Sequence, residues 1–249
     1  MTLNHSAANR RIALFLVALL TLTAFAVAAS ALFSARASAA KRPFVVVIDA
    51  GHQGKANNKN EPIGPGSKTR KPSVSSGTAG VKTHKEESAI NLQVALKLRD
   101  QLQARGVKVI MIRTKQNVNI PNSARAKTAN SVKADLFIRL HCDSAGSKTR
   151  GVLTLVPGKN KWTGPIMKKS AKAGSAIHKA TLKATGAKSR GITQRTDMAG
   201  FNWSKVPCVI VEMGVMSNST DDRLLASSTY QNKLARGMTN GIMAYLAGK

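Results

Sequence analysis

Two histidines and a glutamate close three apolar runs in this chain. His52 follows the run 44–48 after a short Asp-Ala-Gly link, His141 follows 136–140, and Glu212 follows 208–211. Runs this apolar and β-branched read as strands buried on both faces. In an open α/β sheet, ligands collect outside the carboxyl ends of the strands, so three polar residues in such positions point to one site. Glu87 joins them from the first turn of a helix on which Ile90, Val94, Leu98 and Leu102 recur every fourth residue until Gly106. Two neutral imidazoles and one carboxylate are a familiar ligand set for catalytic zinc, with a fourth position left for water. The metal lowers the pKa of that water toward ~7 and polarises a carbonyl. A second carboxylate then moves protons. Residue type alone leaves two assignments open, with either Glu87 or Glu212 as the ligand and the other as the base.

The elements that must hold these residues alternate along the chain. After the opening strand, residues 53–83 are rich in Lys, Asn, Gly, Pro and Ser, carry Pro62, Pro65 and Pro72, and show no apolar period. They read as a long loop, of a length that is usually functional or mobile inside a compact domain. A helix from Glu87, a strand over 107–113, a polar, alanine-rich helix over 122–133 and the strand ending at His141 follow. Then come a strand over 152–156, a lysine-covered helix over 166–185, the strand 208–211 behind Pro207, and an amphipathic helix bearing Leu234, Met238, Ile242 and Tyr245. This alternation predicts an α/β fold, a mostly parallel sheet with helices on both faces, in one domain.

Four segments carry a family likeness. They are Val45-Val-Val-Ile-Asp-Ala-Gly-His52, Glu87-x-x-x-Asn91-Leu92, Leu136-Phe-Ile-Arg-Leu-His141 and Val211-Glu212-Met-Gly-Val-Met-Ser-Asn218. In this order they resemble the zinc-dependent N-acetylmuramoyl-L-alanine amidases of bacterial cell walls. The likeness extends over nearly all of 44–246 and includes Ile112-Arg113-Thr114, the helix with Arg125 and Asn130, and Pro207. The resemblance implies a three-layer αβα sandwich and one Zn2+ per chain. It makes His52, Glu87 and His141 the metal ligands and Glu212 the catalytic carboxylate. It further implies hydrolysis of the amide between N-acetylmuramic acid and the L-alanine of the stem peptide, with peptidoglycan as the partner. Two segments depart from the family pattern: Gly51-His52-Gln53-Gly54 replaces Gly-His-Gly-Gly, and His141-Cys142-Asp143 replaces His-Ala-Asn. Neither removes a proposed ligand.

The remaining polar residues read more plainly. Glu86 is a solvated acid at a helix N-terminus, favoured there by the helix dipole. His84 belongs to the basic loop, His178 reads as exposed between lysines, and His5 lies in the N-terminal segment. Arg113 and Arg125 read as ties between helices and sheet, with contact to substrate as the alternative. By the family resemblance Asp197 and Asn218 fall near the same sheet edge, without an assigned role. Cys142 and Cys208 lie in apolar strands as buried small side chains, and no Cys-x-x-Cys motif exists.

Composition bounds the partners. The 249 residues carry 39 Lys+Arg against 11 Asp+Glu, a formal net charge of +28. Such a balance names a polyanionic neighbour and not a reaction. Residues 1–11 carry Arg10 and Arg11 and no acid, residues 12–33 are apolar, and Ala37-Ser38-Ala39 offers a cleavage site. Residues 1–40 therefore read as a signal peptide or, uncleaved, as an N-terminal membrane anchor, with residues 41–249 as the catalytic domain. Export places the protein in the cell wall, the periplasm or outside the cell. Anionic wall polymers then become the natural partners of the basic surface. Nucleic acid is not expected, because aromatic residues make up only 4% of the chain and no nucleic-acid motif occurs.

Overall fold

The computed structural model of the protein describes residues 42–249, and the N-terminal segment read as signal or anchor lies outside them. The described chain opens with β1 (Val45–Ala50), β2 (Asn57–Pro62), β3 (Arg70–Val74), α1 (Glu87–Gln103), β4 (Lys108–Met111), α2 (Asn122–Ser131) and β5 (Leu136–Asp143). It continues with β6 (Val152–Pro157), α3 (Gly164–Thr185), β7 (Ser189–Arg195), α4 (Ala199–Asn202), β8 (Cys208–Val215), α5 (Ser219–Ala226) and α6 (Ser228–Ala247). Six strands pair in the order β4-β1-β5-β8-β6-β7. The first four run parallel, β6 is antiparallel to β8, and β7 is parallel to β6. The expected mostly parallel sheet forms, with two strands reversed at one end.

Alternation along the strands sorts the core into two layers. Val46, Ile48 and Ala50 of β1 and Leu136, Ile138 and Leu140 of β5 pack with α1, α3 and α6 on one face. Val47, Phe137, Cys208 and Ile210 meet Ala126 and Ala129 of α2 and Phe201 of α4 on the other. Each fully buried large aliphatic side chain contributes roughly 1.5–3 kcal/mol by leaving water, enough to fix the sheet register that presents the site. Helix ends follow local chemistry. Pro165 opens α3, Gly186 closes it in the left-handed conformation, and the Asn218 side chain caps α5 by accepting from the Thr220 and Asp221 amides.

Several expectations change. The stretch 53–83 is not a loop throughout, because β2 and β3 pair antiparallel within it. A two-stranded ribbon of polar residues is marginal alone, and this one is held by long-range contacts. Trp162 Nε1 donates to Pro65 O, Trp203 Nε1 to Pro62 O, and the buried Glu61 carboxylate accepts the Ser123 amide at the start of α2. β7, α4 and α5 have no counterpart in the sequence reading. His178 is buried, not exposed, bridging Thr154 Oγ1 and Ser189 Oγ at 2.9 Å each. His141 and Glu212 lie inside β5 and β8, which continue past them, so the functional side chains sit on the strands' last turns of pleat. Both cysteines are buried and free.

Candidate active site

His52, Glu87 and His141 converge although 35 and 54 residues separate the neighbouring pairs in sequence. β1 delivers the first, the start of α1 the second and β5 the third. Their facing atoms form a nearly equilateral triangle: His52 Nε2 to Glu87 Oε1, His141 Nδ1 to Glu87 Oε1, and His141 Nδ1 to His52 Nε2 are each 3.1 Å. Glu212 pairs in register with His141 on the adjacent strand and lines the same cleft, of about 330 Å³.

Each ligand-type side chain is held from behind. His52 occupies the left-handed region, with φ of 58°, and its Nδ1 lies 2.9 Å from the Ser75 carbonyl. That contact places the proton on Nδ1 and leaves the Nε2 lone pair facing the triangle. Glu87 Oε1 accepts from Asn91 Nδ2 and the Cys142 amide, while Oε2 accepts from the Thr78 amide. The Cε1–Nε2 side of the His141 ring lies against the chain at Gly51, where any Cβ would come within 2.3 Å of the imidazole. Gly51 is therefore a spatial requirement of the site.

Behind the corner that carries His52, arginines bind its backbone. Arg113 donates to Ala50 O at 2.8 Å and to Gly51 O at 3.0 Å, and Arg125 donates to Ala50 O at 3.2 Å and to His52 O at 3.1 Å. Asp49 is fully buried and pairs with Arg125 at 2.7 Å and Arg139 at 2.8 Å. Arg113 and Arg125 thus tie helix and loop to the sheet, as expected. Asp49, Asn91 and Arg139 stood inside the family-like segments, but the sequence reading gave them no role at the site. The signal was the charged residue inside each apolar strand, Asp after Ile48 and Arg after Ile138.

Electrostatics separates the two glutamates. Burial alone would raise the Glu87 carboxyl, but its hydrogen bonds with His141 and His52 hold it well below the usual carboxylate range. Burial lowers His141 to about 4, so this imidazole is neutral with a free lone pair. For Glu212, burial raises the pKa to about 8, with the Glu87 and Asp143 charges adding to the effect and Arg190 opposing it. Glu212 has no hydrogen-bond partner among the described residues, whereas Glu87 has several.

The triangle has the shape a cation needs. Three donors of a tetrahedral zinc at 2.0–2.1 Å stand about 3.3 Å apart, close to the observed 3.1 Å. Two imidazole nitrogens and a carboxylate oxygen facing one another at this range bring lone pairs together, an arrangement that a cation relieves. Among the described residues this is the one group of three or more His, Cys, Asp or Glu so disposed. His84 and His178 lie outside it. Asp197 borders the cleft, tied to Arg195 and to Lys71 of β3, and Asn218 serves as a helix cap.

Residues 46–244 match the family model described as N-acetylmuramoyl-L-alanine amidase. The chain belongs to the N-acetylmuramoyl-L-alanine amidase family. It is 30% identical over 218 residues to the N-acetylmuramoyl-L-alanine amidase Rv3717 of Mycobacterium tuberculosis, covering 82% of this chain and 86% of that one. Its fold is similar to the crystal structure of the N-acetylmuramyl-L-alanine amidase Ami1 of Mycobacterium smegmatis, with a TM-score of 0.74 and 27% identity over 83% of this chain and 98% of that one. The catalytic domain of CwlV, an amidase of Bacillus (Paenibacillus) polymyxa, gives a TM-score of 0.67 at 28% identity, covering 83% and 99%. Family membership makes the chain a hydrolase acting on peptidoglycan, and the six-stranded sheet flanked by helices is the amidase fold.

Proposed function

We propose that His52, Glu87 and His141 hold one zinc ion and that Glu212 is the catalytic acid-base group in hydrolysis of the bond between N-acetylmuramic acid and L-alanine. The observation that carries this is the 3.1 Å triangle with Glu212 beside it on the next strand. When bound, the ion supplies Lewis acidity toward the scissile carbonyl and makes a water more acidic. Glu212 accepts the proton of the attacking water and passes it to the leaving L-alanine nitrogen, so one carboxylate serves as base and then as acid. Its position in a buried cleft keeps its proton affinity high, near 8, and a positive charge at the triangle acts in the opposite direction. Glu87, held anionic by both imidazoles and three further donors, is suited to ligation and not to proton transfer.

The same reading covers the chain's placement. Residues 1–40 act as an export signal or membrane anchor, and residues 41–249 are the catalytic domain working in the wall, outside the membrane. The excess of cations draws this domain to anionic wall polymers. Mass spectrometry of wall fragments incubated with the protein tests the chemistry. Expected products are intact stem peptides with a new L-alanine N-terminus; a chelator abolishes them and added zinc restores them. Cuts within the stem, or release of acetate alone, would replace the amidase reading with a peptidase or a deacetylase.

A further inference from the structure

The acidic residues of this protein are turned inward. Of the eleven, only Glu86 and Asp100 are exposed; the others are buried or half-buried, several of them bound to arginine. The cations therefore dominate the surface, and they do so most completely on the two longest described helices. α3 and α6 contain no Asp or Glu. They bear exposed Lys168, Lys169, Lys172, Lys179 and Lys183 on α3, and Lys233 and Arg236 on α6. None of the seven forms an ion pair among the described residues, and Lys172 alone is engaged, donating to Gly248 O at 2.9 Å.

Helical spacing gathers these charges. Positions 168, 172, 179 and 183 differ by four, seven and four residues and so fall within one narrow arc, spread over about 22 Å at 1.5 Å per residue. The two helices pack closely and antiparallel, because Gly241 lets the α6 backbone lie against Ile177 of α3, where a Cβ would come within 2.4 Å of the Ile177 Cα. The outer surfaces of the pair thereby form one continuous cationic face. Its direction relates it to the catalytic edge of the sheet, while the cleft opens on the opposite face, beside α2 and α4. β6 starts opposite Glu212, with Leu153 paired to it, and β7 starts beside β6. The end of α3 that leads into β7 therefore lies at the catalytic edge, where Arg190 binds Asp143 at 2.7 Å.

We propose that the α3/α6 face is a docking surface for a linear phosphodiester polymer of the wall, laid along the lysine stripe toward the catalytic edge of the sheet. This rests on the reading that the protein works among anionic wall polymers and assigns that attraction to one face. Lysine ammonium groups bind phosphate as point charges, without the fixed bidentate geometry of an arginine fork, which suits the flexible, evenly charged backbone of a phosphodiester chain. The exposed positions of both helices carry no aromatic side chain for stacking bases. Nor do they carry large apolar side chains for entering a lipid interface.

The test compares the full protein with two quadruple variants of equal charge loss, K168Q/K172Q/K179Q/K183Q on the stripe and K55Q/K59Q/K68Q/K82Q elsewhere. Binding to synthetic poly(glycerol phosphate) is measured across a salt series, with polygalacturonate and phosphatidylglycerol vesicles as parallel probes. Hydrolysis of a short soluble muropeptide, which needs no docking, stays at the parent level in both variants and reports an intact fold. The expected result is a stripe variant whose affinity for poly(glycerol phosphate) falls on the order of 100-fold and whose log–log salt slope falls by about 3, with a much smaller change in the second variant. Equal losses in both variants would overturn the docking face while leaving the general wall attraction standing. No binding by the parent protein, or none that salt weakens, would overturn both. Preference for polygalacturonate or for vesicles would overturn the phosphodiester assignment.

Discussion

Glu87 and Glu212 face one cleft and differ in everything that decides their chemistry. Glu87 is buried, accepts from two backbone amides and one amide side chain, and lies 3.1 Å from two imidazole nitrogens; Glu212 is half-buried and accepts from none of the described residues. Replacing Glu212 with Gln keeps its shape and removes its charge. The expected outcome is metal content near one per chain with hydrolysis lowered by a factor on the order of 10² to 10⁴, the range for a lost acid-base group. The matching Glu87→Gln variant loses the metal itself. Metal analysis beside turnover checks both, and a Glu212→Gln protein purified without metal would make Glu212 a ligand. The sequence placed all four residues near one sheet edge through their strands and helix, but residue type did not say which glutamate was which. The family resemblance assigned the two roles, and the donors at positions 78, 91 and 142 that surround Glu87 alone favour the same split, though no local pattern encodes their convergence. His178 misled for a related reason: lysines flank it in sequence, yet it sits on the inward arc of α3.

At the scale of elements, the turn from β1 into His52 is set by groups on other segments. Arg113 and Arg125 bind the carbonyls of residues 50, 51 and 52, which keeps the unusual His52 backbone and hence its Nε2 in place. Arg113→Lys cannot reproduce this fork, so metal affinity is expected to fall about 10- to 100-fold, as for other groups that orient ligands. Competition with a chromogenic chelator reads this directly, and unchanged affinity would assign Arg113 to packing alone. The Asp49 triad has a signature in pH. Burial alone would raise Asp49, but Arg125 and Arg139 hold it well below the ordinary 3.8. A carboxylate depressed in the folded state stabilises above its unfolded pKa and loses that contribution as pH falls toward the folded one. The parent should therefore exceed Asp49→Asn by roughly 3–5 kcal/mol near neutrality, with the gap closing below about pH 4. Urea midpoints across pH decide it; a gap that stayed constant into acid would remove Asp49 from the ion pair. Five of the six strands of the sheet were readable because burial demands apolar runs, whereas the polar, largely exposed edge strand β7 was not. Nor was the β2/β3 ribbon, since its stability comes from Trp162, Trp203 and α2, far away in the chain.

For the whole molecule, the sequence supplied the size of the charge but not its arrangement. An excess of 39 cations over 11 acids is visible in any count; that nearly all the acids are turned inward, leaving α3 and α6 with one sign, is visible only once folded. This arrangement gives salt two opposite effects on one protein. Exposed lysines without acid partners repel one another and destabilise the compact state. Ions at physiological strength screen such exposed charges beyond about 8 Å, whereas the buried pairs around Asp49 are little affected. The thermal midpoint is therefore expected to rise by several degrees between low and high sodium chloride, while wall binding weakens over the same range. Calorimetry and wall sedimentation in one buffer series measure the two together. A midpoint that fell with salt would show that surface ion pairs outweigh repulsion, and would contradict the inward turn of the acids from which the cationic face arises.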